Sequence, residues 1–112
     1  MSASRFERAV TRSAARAGAP VAVERHTATG WHSATFSGDR HELVVSAAPG
    51  APLDRWTDGL AALDLGIPGQ LLADLRVATR ERSGDRVTLH LEGLTVACEV
   101  SAPGCGAAYA PG

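Results

Sequence analysis

Apolar positions along the chain change period, and each change marks a change of element. Phe6, Ala9, Val10, Ala14 and Ala17 recur at intervals of three and four, one stripe of an amphipathic helix. Ser4-Arg5-Phe6-Glu7 has the spacing of a capping box, in which hydroxyl and carboxylate serve orphan backbone donors. Gly18 and Pro20 stop the helix, which is expected over about 5–17. Arg5, Arg8, Arg12 and Arg16 form a second stripe beside the first, read as a solvated face.

From Pro20 to Ala48 the pattern becomes extended. Thr29-Gly30 and Gly38-Asp39 are hairpin-type dipeptides, which divides the stretch into strands at about 21–28, 31–37 and 41–47. Two-residue turns pair Val23 with Phe36, Arg25 with Ala34, His32 with Val45 and Ala34 with Leu43. One face then carries Val21, Val23, Ala34, Phe36, Leu43 and Val45 as its core. The other carries Glu24, His26, Ser33, Thr35, Glu42 and Ser46, with Trp31 and Val44 as its large apolar groups.

After the loop Ala48-Pro49-Gly50-Ala51-Pro52, the steps Leu53, Trp56, Leu60 and Leu63 predict a second helix over about 53–64. Asp54 and Asp58 sit toward the positive end of its dipole, Gly59 weakens it, and Gly66 and Pro68 end it. Leu71, Ala73, Leu75, Val77 and Thr79 then alternate with Asp74, Arg76, Ala78, Arg80 and Arg82. A loop at Ser83-Gly84-Asp85 leads to Val87, Leu89 and Leu91, pairing Val77 with Leu91 and Arg76 with Glu92. Parity flips before Leu94, Val96 and Cys98, so a bulge at Gly93 is expected to return them to the core. The fold class is therefore α+β: an antiparallel sheet of about five strands in the order α-β-β-β-α-β-β, with two helices on one face. Residues 1–100 form a single domain, and 101–112 a mobile tail.

With 112 residues, the chain builds one core. Its large apolar side chains, nine Val, eleven Leu, one Ile, two Phe and two Trp, suffice for a helix-on-sheet layer but are few enough to favour oligomerisation. Eleven basic against twelve acidic residues leave a net charge of −1, which removes any strong pull toward phosphate backbones or anionic membranes. Every basic residue is Arg, so Schiff-base chemistry and a phosphate-loop lysine are excluded, and no nucleotide-binding glycine motif occurs. No apolar run approaches the length of a bilayer span, and charges at Arg5, Glu7 and Arg8 exclude a signal peptide at the start, so the protein is expected to be cytoplasmic. Cys98 and Cys105 are then expected as free thiols.

The histidines are candidates for a metal or acid–base set. In the register above His32 and His41 share a face about 13 Å apart while His26 points away, too dispersed for one ion. No Ser or Cys stands in a hydrolase context. The features point to a protein–protein interaction or structural module, self-associating as a homodimer, without catalytic activity, cofactor or metal, and with its contact surface at Trp31, Val44, Ser33 and Thr35. One alternative is a small enzyme or ligand-binding domain using His32 and His41 with Arg40 and Glu42. Another is nucleic-acid binding through Arg76, Arg80, Arg82 and Arg86, which Glu81, Asp85 and Glu92 oppose.

Overall fold

A computed structural model of the chain describes residues 2–63, 65–67 and 69–97. The expected C-terminal tail, Cys98 and Cys105 lie outside the described residues. Helix α1 spans Ser2–Arg16, followed by β1 (Ala22–His32), β2 (Ser37–Ala47), α2 (Ala51–Asp58), a 3-10 turn (Leu60–Ala62), β3 (Gln70–Ser83) and β4 (Arg86–Ala97). The strands form one antiparallel sheet in the order β1-β2-β4-β3. Both helices pack on one side of it, giving a two-layer α+β architecture with four strands where the sequence pattern suggested five.

The lost strand has a local cause. Thr29-Gly30 and Gly38-Asp39 do not turn; they lie inside β1 and β2, paired as Thr29 with Arg40 and Gly30 with Asp39. The chain turns instead at Ser33–Phe36. There the Ser33 amide donates to the Phe36 carbonyl at 2.7 Å, and the Ser33 hydroxyl accepts from the Phe36 amide at 3.1 Å. A serine hydroxyl that satisfies turn amides does the work expected of a glycine dipeptide. Gly38 has another reason to be glycine, since a Cβ there would stand 1.9 Å from the Thr95 carbonyl oxygen. Pairing therefore runs Val23 to Val45 and His26 to Leu43, not Val23 to Phe36. Phe36 is left 59 % exposed at the hairpin tip, and Ala34 is exposed beside it.

The final hairpin keeps the expected pairs Val77 with Leu91 and Arg76 with Glu92, by a different route. Its turn is one residue shorter, Gly84-Asp85, with Gly84 at φ 64°. A bulge at Ala78 restores the register, and a second occurs at Ala73. No bulge occurs at Gly93: β4 pairs without a break through Glu92, Gly93 and Leu94 with β2. Leu91 faces the helices while Leu94 and Val96 face the other side, and Gly93 and Thr95 take the inner positions between them. The room at Gly93 is filled from the other layer, because the Phe6 ring rests there.

Helix α1 begins before Ser4, so Ser4 is not its cap, and the Glu7 carboxylate turns to the sheet instead of to the helix start. Helix α2 ends at Asp58, where Gly59 interrupts it and donates its amide back to Arg55 and Trp56. The core joins Phe6, Val10 and Ala14 of α1 to Leu43, Val45, Leu75, Val87, Leu89 and Leu91 of the sheet and to Leu53, Trp56 and Leu60. The Trp56 indole N–H donates to the Ser13 hydroxyl at 3.0 Å, tying α2 to α1. No helix among the described residues is long and apolar enough to cross a membrane.

Candidate functional site

Two sites emerge, one beneath α1 and one on the outer sheet face, which no described element covers. Beneath α1, the register of β1 and β2 brings His26 and His41 to the inner face. His26 Nδ1 lies 3.1 Å from Glu7 Oε2, His26 Nε2 lies 3.1 Å from His41 Nδ1, and His41 Nε2 lies 3.0 Å from Thr95 Oγ1. The proton on each nitrogen follows from its neighbour. With Glu7 ionised it accepts from His26 Nδ1, leaving His26 Nε2 to accept from His41 Nδ1 and His41 Nε2 to accept from the Thr95 hydroxyl. In this arrangement all donors point toward Glu7. The Phe6 ring stacks on His41 at 3.9 Å between centroids and 11° between planes.

His41 is fully buried. Burial first, and then the adjacent His26, hold its pKa down from 6.5 to about 4, against an opposing pull from Asp39. Thr95 Oγ1 also lies 3.4 Å from the Asp39 carbonyl oxygen, which can accept from its hydroxyl. This relay meets solvent through Glu7, whose side chain is 38 % exposed, against 6 % for His26. Thr95 and His41 are fully buried. No group of three or more His, Cys, Asp or Glu among the described residues is arranged to hold a metal ion.

The proposed enzyme set is not brought together. His41 lies under α1, Arg40 and Glu42 alternate to the opposite face, and His32 is exposed at the end of β1. The arginine hairpin is also dispersed. Arg76 pairs with Glu92, Arg80 reaches under the sheet to Asp54 at 2.7 Å, Arg82 donates to the Gly84 carbonyl, and Arg86 donates to Ser46. Ser33 and Thr35 belong to the β1–β2 turn.

Trp31 and Val44 do sit on the uncovered face, and the register gives them company. Residues directly opposite share a face, so Trp31, Gly38, Val96 and Leu71 form one row across all four strands. Leu94 follows in the next row, between Arg40 and Asp74. Trp31, Val44, Leu94 and Val96 are half-buried, and Leu71 is 50 % exposed. The Trp31 indole N–H is shielded and has no acceptor among the described residues. Leu71, Leu94 and Val96 escaped the sequence reading because each was assigned to the core.

Comparison with protein families, with curated proteins and with solved structures finds no match to this chain.

Proposed function

We propose that the chain is a self-associating module whose uncovered sheet face packs on the same face of a second copy, related by a two-fold axis. The row Trp31–Gly38–Val96–Leu71 carries this reading, supported by Leu94 and Val44. Four strands at about 4.8 Å by eleven residues at about 3.3 Å offer roughly 700 Å² per copy, close to the roughly 800 Å² per partner of a stable interface.

Charge favours a copy over a nucleic acid. Arg25, Arg40 and Arg76 are interspersed on this face with Glu42, Asp74 and Glu92, so a two-fold mate presents carboxylates to arginines in both directions. The strand edges are poor alternatives. β1 carries a bulge at Glu24 and β3 bulges at Ala73 and Ala78, devices that blunt edge-to-edge pairing.

Sedimentation velocity tests this. The unaltered chain should sediment as a dimer at high concentration, and Trp31→Ser should shift it toward monomer with unchanged circular dichroism. A monomer at every concentration, or a mutant that assembles like the parent, overturns the proposal.

A further inference from the structure

On the helix layer, away from the proposed interface, α1 and the chain after the 3-10 turn leave a cavity of about 470 Å³. Ala9, Ala17, Trp56, Leu63 and Leu65 give it apolar walls, and Arg12 and Arg16 stand among its lining residues. Successive positions of α1 explain the arrangement: Arg12 and Arg16 are four apart and project along one side of the helix. Among the described residues neither has an ion-pair or hydrogen-bond partner, in contrast to Arg76, Arg80 and Arg86. No carboxylate is among the described lining residues. The Trp56 indole N–H is already satisfied by Ser13, so the wall asks for no further polar partner.

We propose that this cavity binds an amphipathic organic anion, a carboxylate with an apolar body, its head held by Arg12 and Arg16 and its body against Trp56, Leu63 and Leu65. Two guanidinium groups match a carboxylate in charge and in fork geometry. They also outweigh the partial negative charge at the end of α1, which is about half an elementary charge. A volume of this size is within the range of small-molecule sites, and at roughly 30 Å³ per water-sized group it takes a body of about a dozen carbons. A longer acidic peptide would leave the apolar walls unused, which is why the small amphiphile is preferred.

Isothermal titration calorimetry of the purified chain with dodecanoate, below its micelle concentration, tests the assignment. Dodecanoate is expected to bind one per chain and saturably, while dodecyltrimethylammonium and inorganic phosphate fail to match it. The double substitution Arg12→Gln and Arg16→Gln should weaken binding roughly ten- to a hundredfold, the loss of charge-assisted hydrogen bonds. Ala17→Leu, at an exposed lining position, should weaken binding while both arginines stay. Phe36→Ser, at the exposed hairpin tip, should leave binding unchanged. Absence of saturable binding, equal binding of the cationic amphiphile, or indifference to the arginine pair overturns the proposal. So does loss through Phe36→Ser alone, which would move the ligand to the hairpin tip.

Discussion

The ring of Phe6 lies directly over Gly93: a Cβ at position 93 would stand 2.7 Å from Phe6 Cζ and 2.9 Å from Cε1. Glycine is required here for space, since Gly93 does not have a positive φ. Gly93→Ala is expected to cost about 1–3 kcal/mol through overpacking. Phe6→Leu in the same chain should recover part of that loss, whereas a left-handed glycine at a bulge would gain nothing from a smaller residue 6. Chemical denaturation of both single variants and the double variant checks the coupling.

Gly38 and Gly30 are both glycines of the β1–β2 hairpin, yet they are expected to respond oppositely. At Gly38 a Cβ meets the Thr95 carbonyl oxygen at 1.9 Å, and backbone cannot step aside without parting β2 from β4. At Gly30 the nearest atom is 3.9 Å away. Gly38→Ala should destabilise by more than about 3 kcal/mol, and Gly30→Ala by no more than about 1 kcal/mol. Comparable losses at the two positions, measured by thermal melting, would contradict the assigned register.

Acid should weaken the fold through His41. Its folded pKa of about 4 lies below its ordinary 6.5, so the unfolded chain takes up the proton first as pH falls. The stabilising contribution is complete above pH 6.5 and is lost as pH falls toward 4. The shift corresponds to at most about 3.5 kcal/mol, at roughly 1.4 kcal/mol per pKa unit. Melting temperatures across this window are expected to fall, and His41→Gln should flatten the dependence. A slope in the variant as steep as in the parent would remove His41 from that role.

The two-layer architecture and the pairing of the last hairpin were legible because long alternating runs such as Val87, Leu89 and Leu91 permit one solution. The β1–β2 hairpin was not. Gly30 and Gly38 are turn formers by composition, whereas the actual turn at Ser33–Phe36 is closed by a hydroxyl and contains no glycine. Misplacing that turn changed which residues share a face, and so hid the contact between His26 and His41. The parity change before Leu94 was visible in the sequence, but its meaning depended on Phe6 filling the place of a side chain at Gly93. Only packing across layers supplies that information. Once Leu94 and Val96 leave the core they enlarge the apolar area of the outer face around Trp31.

Whether that face is covered by a second copy is tested most directly by methyl relaxation from a soluble paramagnetic probe, read at high and low protein concentration. Val44, Leu71, Leu94 and Val96 should be protected at high concentration and become strongly broadened on dilution, while buried Val87 and Leu89 remain unaffected throughout. Equal broadening of the four outer methyl residues at both concentrations would contradict self-association through this face.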